Sequence, residues 1–178
     1  MQEAVTTTNV NLSILPMEGE RTRKVLLQTE NATGMPKVSP DGRWMAYFSN
    51  ESSKNEVYVR PFPEVNSGKW QVSTDGGSSP LWSPDGRELF YLSNDNSVMA
   101  VAVETKPTLS FGTPKSLFKS IYAGATIGSG TPWDIHPDGK RFLMMKLPGA
   151  APSTAAALRE INIVLNWFEE LKQRVPVK

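Results

Sequence analysis

Ser83-Pro84-Asp85-Gly86-Arg87-Glu88-Leu89-Phe90-Tyr91-Leu92 reads as a tight turn running into an apolar strand, and the chain writes that phrase three times. The other copies are Ser39-Pro40-Asp41-Gly42-Arg43, ahead of Trp44 to Phe48, and His136-Pro137-Asp138-Gly139-Lys140, ahead of Arg141 to Met145. Each position has a physical reason. Proline presets the φ of the first central position of a type I turn, aspartate suits the second, and glycine takes the left-handed site that follows. Asp41, Asp85 and Asp138 stand 44 and then 53 residues apart. A period of roughly 40–45 residues is that of four-stranded propeller blades.

Working outward from the second copy, Ser79 to Trp82 is a first strand, Glu88 to Leu92 a second, Val98 to Val103 a third and Thr113 to Phe118 a fourth. The first copy predicts strands at Met35–Val38, Trp44–Phe48, Glu56–Arg60 and Lys69–Ser73, the last two rich in β-branched and aromatic residues. The third has Pro132–Ile135, Arg141–Met145 and, after a small-residue loop, Ile161–Trp167. Ahead of all three, Leu12–Met17 and Lys24–Gln28 flank the turn Glu18-Gly19-Glu20. The expected fold is all-β: a partial β-propeller of about three four-stranded blades with leftover strands. Residues 1–9 are expected as a disordered or extended segment, 10–30 as a half blade, 35–74 and 78–120 as full blades, 131–167 as an incomplete last blade, and 168–178 as a short helix or tail. Bare blade faces and sheet edges at both ends are a liability. The expected partner is therefore the chain itself, as a homodimer closing a ring of about six blades.

With 19 basic and 18 acidic side chains the charge is balanced, and no basic stripe points to nucleic acid. There is no cysteine, which excludes disulfides, thiolate chemistry and Cys-ligated zinc. No apolar run approaches the ~18–20 residues that span a bilayer, and the first residues lack the pattern of a secretory signal, so the chain as it stands reads as cytoplasmic, without membrane insertion.

The turn phrases resemble TolB-like, WD-type propeller repeats. The succession Ser39 to Tyr47, Ser49-Asn50-Glu51-Ser52, Asn55 to Pro63, Gly68 to Thr74, Gly86 to Tyr91 and Val164-Leu165-Asn166-Trp167 is similar to the C-terminal propeller of bacterial membrane-anchored serine/threonine protein kinases. That resemblance implies a propeller, a sensing or protein-interaction role, and an extracytoplasmic location for the parent domain. It implies no phosphotransfer here, because the kinase loops are missing from the sequence. The chain then looks like a truncation that begins at an internal methionine.

The channel end of the blades is the expected place for a site. Glu30, Asn31, Asp75 and Trp133 are the expected ligand-binding residues, ahead of or within the innermost strands. Glu30, Asp75 and Asp134 would offer carboxylates to a divalent cation, Ca²⁺, Mg²⁺ or Mn²⁺, multiplied by symmetry in a ring. His136, the only histidine, and Asp134 are the candidate catalytic pair. Asp41, Asp85 and Asp138 are expected to serve their own turns instead. Most of the five tryptophans, Trp44, Trp70, Trp82, Trp133 and Trp167, are expected to pack between blades. Two function classes follow. One is a non-catalytic module binding a peptide or small molecule. The alternative is a metal-assisted ester, lactone or phosphotriester hydrolase at the channel, in which the ion polarises the ester and activates water.

Overall fold

The computed structural model describes residues 11–119 and 131–145. Among these residues every regular element is a strand. β1 (Leu12–Ile14) and β2 (Lys24–Leu27) form a hairpin. β3 (Thr33–Val38), β4 (Trp44–Ser49), β5 (Glu56–Pro61) and β6 (Trp70–Gln71) form an antiparallel meander in that order. β7 (Ser78–Trp82), β8 (Glu88–Leu92) and β9 (Ser97–Glu104) repeat it, with β10 (Ser110–Phe111) and β11 (Lys115–Lys119) both paired to β9. β12 (Trp133–Ile135) and β13 (Phe142–Met144) form a two-stranded sheet, the third in line counted from the first meander. The expected segments 1–9, Ile161–Trp167 and 168–178, and with them Trp167, lie outside the described residues.

The three turns are built alike. Gly42, Gly86 and Gly139 all sit near φ +70°, and each donates its N–H to the carbonyl three residues back, at 2.8–2.9 Å. Ser39 Oγ donates to Asp41 Oδ1 (2.6 Å) and accepts from Trp44 N (3.0 Å), and Ser83 repeats this with Asp85 and Glu88. Each aspartate also accepts the N–H two residues on, from Arg43, Arg87 or Lys140. The carboxylates serve their own hairpins, as expected. Neighbouring turns also touch: a Cβ placed on Gly86 would meet Pro40 at 3.7 Å, and one on Gly139 would meet Pro84 at 3.7 Å.

The core lies between sheets. Because side chains alternate along a strand, each central strand feeds two interfaces. Leu89 and Tyr91 of β8 pack with Ala46, Val57 and Val59 of the preceding sheet, while Phe90 and Leu92 pack with Trp133 of the following one. Met45, Tyr47 and Tyr58 cover Leu12 and Leu26 of the leading hairpin. Consecutive four-stranded meanders stacked face to face on mixed aliphatic and aromatic cores are propeller blades.

Two tryptophans fasten the stack, as expected of an inter-blade role. Trp82 Nε1 donates to Lys37 O and Trp133 Nε1 to Ser79 O, each at 3.0 Å and each across to the preceding sheet. Both acceptors belong to first strands whose pairing register slips, between Gly34 and Lys37 and between Ser78 and Leu81. Within these slips Met35 and Ser79, at equivalent places in the repeat, have φ of 52° and 53°. Ser79 Oγ donates to Met35 Sδ at 3.3 Å, so the two irregularities meet.

The outer strands differ from expectation. Thr113–Phe118 is not one strand; Gly112 to Pro114 interrupts the edge, proline supplying no N–H for the ladder, so β10 and β11 pair separately with β9. Lys69–Ser73 shrinks to Trp70–Gln71, because the ladder there is finished by a side chain: Ser73 Oγ accepts Val57 N at 2.7 Å.

Candidate functional site

The inter-sheet link Val72–Gly77 and the β8–β9 turn lie at the end of the blades opposite the Pro-Asp-Gly turns. Glycine decides the path of the link. Gly76 has φ +88°, and a Cβ on it would fall 1.9 Å from Asn94 Nδ2. A Cβ on Gly77 would meet Ser73 Oγ at 2.8 Å and Tyr91 Cδ2 at 3.0 Å. No larger residue lets this backbone lie so close to the next sheet.

A buried carboxylate anchors the link. Glu56 is fully buried, receives a very short hydrogen bond from Ser73 Oγ on Oε2, and accepts Gly76 N–H on Oε1 at 3.0 Å. Lys54 Nζ lies 3.3 Å from Glu56 Oε1 and donates to Thr74 O at 3.1 Å. A buried acid needs such partners, and here they hold the start of the second blade to the middle of the first. The facing turn is equally fixed. Asp95 Oδ1 accepts from Ser93 Oγ (2.6 Å) and Ser97 N (3.1 Å), and Oδ2 accepts from Ser97 Oγ (3.1 Å). Those bonds, the Ser93 hydroxyl first, hold its carboxyl down at about 2.

Between link and turn lies a pocket of about 600 Å³. Thr74, Asp75 and Gly76 form one wall, Ser93 to Asp95 another, Thr113 and Ser116 a third, and Tyr91, Met99 and Pro114 also line it. The Tyr91 hydroxyl is pushed up to about 12, by burial first and then by the negative charges of Glu56 and Asp75. Hydroxyls, an amide and the two carboxylates of Asp75 and Asp95 around an apolar patch suit recognition of a polar group carried on an aliphatic stem.

Of the expected site residues only Asp75 lines this pocket, and no residue of β7 does. The pocket therefore opens toward the outer strands, not along the innermost ones. Glu30 is exposed, and Asn31 bonds to Thr29 Oγ1 through its backbone N–H (3.1 Å) and Nδ2 (3.3 Å). Trp133 is buried against the second sheet, its N–H already used. Asp134 and His136 do come together, in a separate pocket of about 390 Å³ with Arg141, Phe142 and Leu143. There the imidazole faces a different acid: His136 Nδ1 is 3.0 Å from Asp138 Oδ1 and 3.3 Å from Arg141 Nη2. Asp134 Oδ1 accepts Ile135 N–H at 2.9 Å. Among the described residues no three Asp, Glu or His side chains, Glu30, Asp75 and Asp134 included, converge as a metal site. Sequence reasoning missed Tyr91, Asn94, Ser97 and Met99. The Gly76-Gly77 pair beside Asp75 was the available signal, since adjacent glycines mark a close backbone approach.

No family model and no curated protein matches the chain. Among solved structures it is similar to a protein from Agrobacterium tumefaciens assigned as TolB, at 20% identity over 56% of this chain and 38% of that one, with a TM-score of 0.45. It is similar also to TolB from Acinetobacter baumannii, at 18% identity over 79% of this chain and 44% of that one, with a TM-score of 0.43. The chain spans less than half the length of either.

Proposed function

We propose that the chain is a non-catalytic binding module of propeller type that takes a peptide or small ligand at the Asp75 pocket. The observation that carries this reading is a cavity of about 600 Å³ whose two principal walls are immobilised, one by buried Glu56 and the other by the Asp95 hydrogen bonds. Walls fixed before binding spare the entropy of ordering them afterwards. Ser116 is exposed on the rim, so Ser116→Trp fills the pocket without disturbing the core. Ligands selected from a peptide and fragment screen by NMR should lose binding to Ser116→Trp; binders indifferent to it would refute the site. The hydrolase alternative draws no support from an imidazole engaged with Asp138 and Arg141.

The same proposal includes assembly. Leu15, Met17 and Val25 of the leading hairpin are exposed, as are Leu143 (75%) and Met145 (54%) at the other end of the stack. Every sheet interface inside the stack buries side chains of this kind. A second copy, hairpin end against third-sheet end in both directions, closes a ring of about six blades. Light scattering should give a dimer that Leu143→Asp dissociates; a concentration-independent monomer refutes the assembly. The kinase-propeller likeness and the extracytoplasmic setting it implies belong to this proposal as well.

A further inference from the structure

Resting on the pocket reading above, we infer that the group taken into the pocket is the basic side chain of a peptide, a lysine ammonium or an arginine guanidinium. Asp75 supplies the charge. Its side chain is fully exposed, and the one contact described for its carboxylate is Lys54 Nζ at a long 3.5 Å. The other acids of the region are spent. Glu56 is occupied by Ser73, Gly76 and Lys54, and Asp95 by Ser93, Ser97 and, at 3.6 Å, Lys119. Lys54 already divides its ammonium among Thr74 O, Glu56 and Asp75, which leaves Asp75 the least satisfied of the three acceptors. The negative field reaches the pocket lining, since Asp75 and Glu56 both help keep the Tyr91 proton in place. Met99, Pro114 and the little of Tyr91 that is exposed share the lining with Asp75 and offer apolar surface on which a long cationic side chain lays its methylenes. An acidic side chain would meet Asp75 there, and a purely aliphatic one would leave that carboxylate unanswered.

The test is amide NMR on the full ¹⁵N-labelled chain with three capped pentapeptides, Gly-Gly-X-Gly-Gly, in which X is lysine, norleucine or glutamate. At millimolar concentration the lysine peptide should shift the amides of Asp75 to Gly77 and Asn94 to Ser97. It should bind about threefold to fivefold tighter than the norleucine peptide, the margin of an exposed ion pair. Asp75→Asn, at an exposed position that leaves the fold intact, should erase that margin, and added salt should shrink it. Equal binding of lysine and norleucine peptides at those amides, or tighter binding of the glutamate peptide, overturns the basic-ligand inference and keeps the pocket. Absence of shifts at those amides with all three peptides, or shifts that persist in Ser116→Trp, overturns the pocket with it.

Discussion

Replacing Glu56 by glutamine tests whether one buried carboxylate latches the first blade to the second. The substitution keeps the volume and turns one acceptor into a donor. If the amide oxygen faces Gly76 N–H, the amide nitrogen faces Ser73 Oγ. That hydroxyl already accepts Val57 N–H at 2.7 Å, and its proton, now given to Glu56, loses its acceptor. Reversing the amide leaves two N–H groups head to head at Gly76. Either way one charge-assisted hydrogen bond is lost and another weakened, a cost of about 2–3 kcal/mol. The Lys54 contact adds little, because that side chain is 46% exposed. For a chain of this size the melting temperature should fall by about 5–10 °C. Urea unfolding followed by tryptophan fluorescence, at one fixed protein concentration, measures the free-energy cost directly. Ser73→Ala should cost a similar amount, since it strips both Glu56 and Val57, and the double variant should cost clearly less than the sum. A Glu56→Gln protein within about 0.5 kcal/mol of the parent, or strict additivity with Ser73→Ala, would refute the latch.

Trp133→Phe strands the Ser79 carbonyl inside a sheet interface and should cost about 1–3 kcal/mol by the same unfolding assay, whereas Trp44→Phe, whose buried Nε1 has no partner among the described residues, should cost less. Gly76→Ala should destabilise the chain and shift the Asn94 side-chain amide resonances, and Asn94→Ala should recover the steric part but not the penalty of φ +88°. Asp95 and Asp138 should both titrate near 2 by carboxyl NMR, held down chiefly by the Ser93 hydroxyl in one and by Lys140 N–H, then Arg141, in the other. Because both values are depressed, whatever these turns contribute is present above the ordinary carboxyl range near 3.8 and lost as pH falls toward 2; titration of either near 3.8 would refute the hydrogen bonds described.

The blades were legible because their signals are local and repeated. Proline, aspartate and glycine at fixed offsets dictate a turn whatever surrounds it, and the apolar runs that follow have no other reading than strands buried on two faces. The split between β10 and β11 was less legible. Thr113-Pro114 sits in a run whose composition reads as strand, and the missing proline donor matters only once the pairing partner is known. The left-handed residues Met35 and Ser79 left no trace in the sequence, since neither is a glycine and both precede proline. The pocket was half legible. Asp75 was singled out, but its companions Asn94, Met99 and Ser116 come from turns and strands of the next blade, brought to it by a stacking distance that no spacing rule contains.

The proposed division of the blades into a structural end and a binding end follows from their hydrogen bonds. At the Pro-Asp-Gly end each aspartate is consumed within its own turn, by the N–H two residues on and by the Ser39 or Ser83 hydroxyl or, at Asp138, by His136 and Arg141. These carboxylates have little left to offer a ligand. At the opposite end the link between blades is fixed from behind, through Glu56 and the close approach of Gly76 and Gly77. That leaves Asp75, the residue just before the glycines, with only its long 3.5 Å contact to Lys54 Nζ. A side chain positioned by its neighbours' bonds while its own acceptors stay largely unused suits a binding site. On the reading proposed above, the repeat builds the scaffold with one set of aspartates and leaves a different one, outside the repeat phrase, for a ligand.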